Sequence, residues 1–138
     1  MADKMVFLKN AADHKALIDK LELLDEKVYK AADLIAGTFR SGNKLIICGN
    51  GGSAADAQHM AAELSGRYLR ERKALDAVAL NCNSSAITAI ANDYSFGDVF
   101  ARQVEAHGKK GDLLLAISTS GNSINIINAL TKAREIGL

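Results

Sequence analysis

Apolar residues recur at gaps of three and four from Leu17 through Leu21, Leu24, Val28, Ala32 and Ile35 to Phe39, the period of one helix face. Ile18, Ala31 and Leu34 widen that stripe. The spacing predicts one long helix over about residues 14–40, stopped by Ser41-Gly42-Asn43. Beyond it the pattern changes. "KLIIC" at 44–48, "LDAVAL" at 75–80 and "DLLLAI" at 112–117 are short apolar runs that read as buried strands. Between and after them, residues 53–68, 84–91, 98–106 and 123–136 read as helices, the last ending at Gly137.

Strands alternating with helices specify an α/β fold, a parallel sheet with helices on both faces and right-handed crossovers. In such sheets ligands bind beyond the carboxyl ends of the strands, where the strand order reverses. An order of 2-1-3 would bring the loops after strands one and three, residues 49–53 and 118–123, to one crevice. The stripe on the long first helix is wider than its own sheet needs, and a second copy of the chain is the expected cover.

The segment "LLLAISTSGNSINII" at 113–127 carries the densest chemistry. An apolar strand ends in Ser118, Thr119, Ser120, Gly121, Asn122 and Ser123, and a helix follows. A helix N-terminus holds unpaired N–H groups and partial positive charge, and an anion is stabilised by both. The four hydroxyls can donate to that anion, each charge-assisted bond contributing about 1.5–3 kcal/mol, which suffices for a phosphate without a Walker lysine. The plainer reading makes Ser123 an N-cap and the rest turn chemistry.

Residues 49–54, Gly-Asn-Gly-Gly-Ser-Ala, fit the dinucleotide pattern G-x-G-x-x-A. That pattern needs an acid after the second strand, and Asn81-Cys82-Asn83 stands there instead. Ser53 with Asp56 also reads as a capping-box start. On the following helix, Asp56, His59, Glu63 and Arg67 fall within about 80° of each other at 100° per residue. That arc is either a solvated face with i,i+4 pairs or a catalytic one. His59 and Glu63 can aim at one ligand or one metal ion, although two donors are too few for a tight zinc site.

Composition narrows the classes. At 138 residues the chain is one domain by length. Its 17 basic and 16 acidic residues leave a net charge of +1, so neither nucleic acid nor a membrane surface is an expected partner. No apolar run reaches membrane-spanning length. The start, with Asp3, Lys4 and Lys9 among its apolar residues, does not read as a leader. Cys48 and Cys82 read as two buried thiols in a reducing cytoplasm. Proline is absent, in keeping with a helix-rich chain.

"CGNGGSAADAQHMAAELSGRY" and "IANDYSFGDVFARQVEAHGKKGDLLLAISTSGNS" closely resemble bacterial phosphoheptose isomerases of the sugar-isomerase (SIS) domain group. The resemblance covers about residues 30–138 well and the first helix loosely. It implies a three-layer α/β/α sandwich on a flavodoxin-like parallel sheet, with residues 1–40 a helical segment and 41–138 the SIS domain. It implies a cytoplasmic homotetramer with sites at subunit interfaces, converting sedoheptulose 7-phosphate to glycero-manno-heptose 7-phosphate for lipopolysaccharide core heptose. Ser118, Thr119, Ser120 and Ser123 match the phosphate loop. Asn50, Gly51, Gly52, Ser53 and Asp93 match the sugar-lining positions, and Arg67 an arginine near the site. Glu63 matches the catalytic glutamate, and His59 with Glu63 matches two zinc ligands. Lys73 replaces a frequent proline in a loop. Family chains continue past this one, and their second histidine, glutamine ligand and fourth strand lie beyond residue 138. A chain ending here is expected to have an incomplete sheet, half a zinc site and no turnover. The alternative is a non-catalytic SIS-fold protein bound to the replication initiator, whose relatives lack the glutamate present here as Glu63.

Overall fold

The computed structural model describes residues 4–138; Asp3, one of the charges that argue against a leader, lies outside them. Contacts divide the chain inside its second helix, into residues up to Leu34 and a unit Ile35–Leu138.

In the first unit the expected single helix is broken. Helix α1 (Lys4–Ile18) gives way to a 3-10 turn (Leu21–Leu24) before α2 (Asp25–Arg40). At the break the hydrogen bonds shorten to i→i−3: Lys20 N donates to Leu17 O at 3.0 Å and Leu23 N to Lys20 O at 3.1 Å. Asp25 and Glu26 then occupy the first turn of α2, where the helix dipole favours carboxylates. The apolar period survives because a short 3-10 turn keeps residues three apart on one side. Leu17, Leu21, Leu24 and Val28 are all exposed.

The second unit is a parallel α/β sandwich. Its elements, after the end of α2, are β1 (Leu45–Gly49), α3 (Gly52–Ser65), β2 (Ala77–Ala79), α4 (Ser84–Asp93), a 3-10 turn (Phe96–Asp98), α5 (Val99–His107), β3 (Leu113–Ile117) and α6 (Ile124–Ile136). The sheet order is β2-β1-β3. Leu45 is level with Ala77 and with Leu113, and Gly49 with Ile117. Strand β1 is therefore central and buried along its whole length. Successive side chains face opposite sides of a sheet, so β1 feeds two cores. Ile46 and Cys48 pack with Leu80, Val99, Phe100, Val104, Ile126 and Ala129 under α4, α5 and α6. Leu45 and Ile47 pack with Ala57 and Ala61 of α3 and with Ile35 and Phe39 at the end of α2. This double coverage explains why the strands read as continuous apolar runs. Burial pushes the Cys48 thiol up to about 12, which leaves it unreactive. Cys82, expected to be buried, is exposed, because β2 ends at Ala79 and the chain has left the sheet by then.

The lower edge of the sheet is fixed by one carboxylate. The Asp112 side chain, wholly buried, accepts from Lys44 N at 3.0 Å and Lys109 N at 3.1 Å. It also pairs with Lys44 Nζ at 2.9 Å. Burial alone would raise this carboxyl, but the two amides and the Lys44 ammonium outweigh it and hold it below its ordinary value of 3.8. The upper edge shows two different helix starts. Asn83 Oδ1 accepts from Ala86 N at 3.0 Å and caps α4. Ser123 stands at the same position before α6, yet its hydroxyl caps no amide.

Two stability predictions result. Asp112→Ala should cost about 3 kcal/mol, read as a lower urea midpoint at unchanged slope. Because the folded carboxyl is lowered, its contribution is complete above the unfolded value and is lost as pH falls through the folded one. Asp112→Asn should remove that acid limb. At the helix starts, Asn83→Ala should cost about 1 kcal/mol, whereas Ser123→Ala should stay within about 0.5 kcal/mol in the same denaturation series.

Candidate active site

Strand pairing sets β1 and β3 side by side and in step, so the loops that leave them emerge together. Residues 118–123 form the second of these. Gly121 takes φ 68°, a left-handed backbone that glycine adopts without steric cost, and this reverses the loop into α6. Ser118 Oγ accepts from Gly121 N at 3.1 Å and Ser120 Oγ from Asn122 N at 3.2 Å. Turn chemistry thus occupies two hydroxyls as acceptors. Each keeps its own proton to donate. Ser118 and Ser123 hydroxyls lie 3.4 Å apart, and Ser123 spends nothing on capping.

The first loop is pressed against α3. A Cβ on Gly49 would stand 2.6 Å from Ser53 O, so only glycine lets the helix start this close to the strand. Helix α3 begins at Gly52 with Gly51 at the N-cap and no side-chain cap. The capping box read from Ser53 and Asp56 is therefore not formed, because the N-cap lies two residues earlier, at Gly51. Ser53 instead faces the crevice. Asn50 and Asn125 exchange two amide hydrogen bonds, at 2.9 and 2.8 Å, and so tie the first loop to α6. On the other side Asn81 Nδ2 donates to Gly49 O at 2.7 Å, while its Oδ1 is buried without a partner.

Asn50, Ser53, Ser118, Thr119, Ser120 and Ser123 line one cleft of about 150 Å³ with Ile117 as its apolar floor. Six of the expected site residues thus converge. Gly51 and Gly52 shape the loop beside it. Asp93 closes α4, its carboxylate accepting from Asn92 Nδ2 at 2.9 Å, and is not part of that lining.

His59 and Glu63 are together elsewhere. They sit one turn apart on α3, with His59 Nε2 3.3 Å from Glu63 Oε1. They border a second, mainly apolar cavity of about 350 Å³ with Ile35, Met60, Leu64, Tyr68 and Arg72. Glu63 is ten residues past Ser53 on α3, about 15 Å along the axis at 1.5 Å per residue. Arg67 is not on the α3 stripe. The helix ends at Ser65, and Arg67 turns to Glu71, 3.4 Å away on the surface. The periodicity that places Arg67 on the stripe runs past the helix end, which has Gly66 at its C-cap.

Two residues in these sites carry no signal in motif or period. Arg72 donates to the carbonyls of Glu63 at 2.7 Å and Leu64 at 2.8 Å, closing the C-terminus of the helix that holds the carboxylate. Asn125 is a polar residue on a helix face that is otherwise buried and apolar, and that mismatch is the one clue to it. Among the described residues no group of three or more His, Cys, Asp or Glu could hold a metal ion.

Known proteins match this chain over nearly all its length. The family model for the SIS domain matches residues 10–138. A phosphoheptose isomerase of Aliarcobacter butzleri is 53% identical over 135 residues, covering 97% of this chain and 71% of that protein. A probable phosphoheptose isomerase of Thermoplasma acidophilum is 58% identical over 118 residues, 86% of this chain and 65% of that one. The solved structure of phosphoheptose isomerase GmhA from Neisseria gonorrhoeae superposes with a TM-score of 0.86 at 45% identity, covering 96% of this chain and 69% of that one. That of a phosphoheptose isomerase from Francisella tularensis gives the same score at 34% identity, covering 97% and 72%. The three-layer fold is shared with these solved structures, and the chain belongs to the phosphoheptose isomerase family of SIS-domain proteins.

Proposed function

We propose that the protein is a sugar-phosphate aldose–ketose isomerase acting on sedoheptulose 7-phosphate to give glycero-manno-heptose 7-phosphate. The observation that carries this reading is the convergence of four hydroxyls and the α6 N-terminus on one small cleft. A phosphate held there is stabilised by donors and dipole together, and its binding energy is available to position the far end of the sugar. The relatives' names agree with this catalytic reading rather than with the binding-only one.

The chain's residues divide the work by distance. From phosphorus to the C1–C2 end, an extended seven-carbon sugar spans roughly 9 Å, taking a third of the residue repeat per bond. Glu63 begins about 15 Å from Ser53 along α3, and helical side chains lean toward the N-terminus, which shortens the gap. In this reading the reacting carbons lie on the Glu63 side while the phosphate remains at α6. Glu63 removes a proton from C1 as the C2 carbonyl oxygen gains one, giving the enediol. The same carboxylate returns a proton to C2 while the C1 hydroxyl loses its own.

An imidazole nitrogen and a carboxylate oxygen one turn apart suit zinc, so His59 and Glu63 fit as two of its ligands, with further donors needed from outside the described residues. Bound there, zinc would stabilise the charge of the enediolate. The exposed stripe of Leu17, Leu21, Leu24 and Val28 supports self-association, which we place at a tetramer. No helix among the described residues is long and apolar enough to cross a membrane, in keeping with the cytoplasmic location we propose.

Glu63→Gln should abolish turnover of sedoheptulose 7-phosphate while calorimetric binding of the ester persists; near-normal rates would remove Glu63 from its role. Replacing Ser120 and Ser123 together by alanine should raise the dissociation constant by about tenfold to a hundredfold. An unchanged constant would reduce these hydroxyls to turn chemistry.

A further inference from the structure

We propose that Asn125 is a positioning residue for the sugar-phosphate cleft, holding Asn50 and the first loop in register with the α6 N-terminus. The inference rests on the phosphate-ester reading above. It starts from a residue in the wrong place. Asn125 is only 2% exposed and shares the buried face of α6 with Ile126, Ala129 and Ala133. An amide buried there is unfavourable unless its donors and acceptor are met.

The acceptor and one of the two N–H donors are met by a single partner. Asn50 Nδ2 donates to Asn125 Oδ1 at 2.9 Å and Asn125 Nδ2 donates to Asn50 Oδ1 at 2.8 Å. The two amides form a closed ring across 75 residues of sequence. An apolar residue at 125 would fill the face with no such requirement, so the ring is what the amide contributes. Asn50 lines the cleft itself, and its carbonyl accepts from Ser53 N at 3.0 Å. The ring therefore sets the first loop, and Ser53 with it, opposite the 118–123 hydroxyls. Each amide keeps a second N–H outside the ring, and that of Asn50 is available to a ligand oxygen.

The ring is fully bonded only when both residues are amides. Asn125→Asp keeps the shape, loses the donation to Asn50 Oδ1 and places a carboxylate behind an anion site. We expect its dissociation constant for inorganic phosphate to rise by about tenfold or more, with KM for the sugar phosphate rising in step and kcat changing much less. Asn125→Leu removes the ring without adding charge and should weaken phosphate binding severalfold. Because Asn125 acts through Asn50, the same change in an Asn50→Ala background should cost no further affinity.

Calorimetry with inorganic phosphate on wild type, Asn125→Asp, Asn125→Leu, Asn50→Ala and the double variant reads these terms, with thermal melting alongside. Wild-type affinity in Asn125→Asp, or additive losses in the double variant, would overturn the proposal and leave Asn125 a stability residue. Should Asn125→Leu fail to melt cooperatively, Asn125→Ser takes its place in the cycle. No phosphate binding to the wild type would fall on the phosphate-ester reading itself; binding that the variants leave intact falls on the amide ring alone.

Discussion

The burial of one five-residue strand sets the rest of the structure. β1 has helices on both faces and a parallel neighbour on each side. With no edge and no exposed face, its direction and register are fixed, because a slip of one residue would exchange the side chains of the two cores. Gly49 and Ile117 are then level, and the loops that follow must open side by side. The cleft is a consequence of that pairing before any of its hydroxyls is considered. At the opposite edge Asp112 binds the starts of the same two strands together through Lys44. The register is therefore held at both ends.

Much of this was legible in the sequence, for identifiable reasons. Apolar runs such as "LIIC" and "LLLAI" have one stable use in an α/β chain; the strand order entered the sequence reading only as a condition, and the structure supplies it as β2-β1-β3. The 118–123 hydroxyls were legible as a group because they follow a strand and precede a helix, the one context in which such a cluster meets free backbone amides. What failed was local. The helix period ran unbroken through Leu17, Leu21, Leu24 and Val28, so periodicity alone could not reveal the 3-10 turn at Leu21–Leu24. A residue spacing of three or four fits both helix types. The same limit carried the α3 stripe past Gly66 to Arg67. The capping-box alternative for Ser53 fails because cap motifs identify a residue type and not the position at which the helix starts, here with Gly51 at the N-cap.

The residues that escaped motif reading have a shared property. Asn125 and Arg72 act on backbone or side-chain partners that are remote in sequence or on a loop of no fixed pattern, and neither sits at a recognisable spacing. Arg72 closes the end of α3 by reaching back to Glu63 and Leu64; Asn125 reaches across 75 residues to Asn50. Such supports are visible only as anomalies: an amide on an apolar helix face, a cation in a loop next to unpaired helix carbonyls.

The separation of phosphate cleft and carboxylate has a further consequence for the proposed chemistry. On the proposed reading, the C1–C2 end of the sugar lies beside α3 at His59 and Glu63. There His59 is 76% exposed at its side chain and Glu63 37%. An enediolate formed on an open flank would exchange protons with water. The proposed chemistry therefore calls for a cover over this flank during turnover. The apolar cavity beside it, bordered by Met60, Leu64 and Tyr68, is the kind of surface that a protein neighbour covers well. The proposed self-association and the proposed catalysis are then linked: a neighbouring copy seated there would exclude water from Glu63.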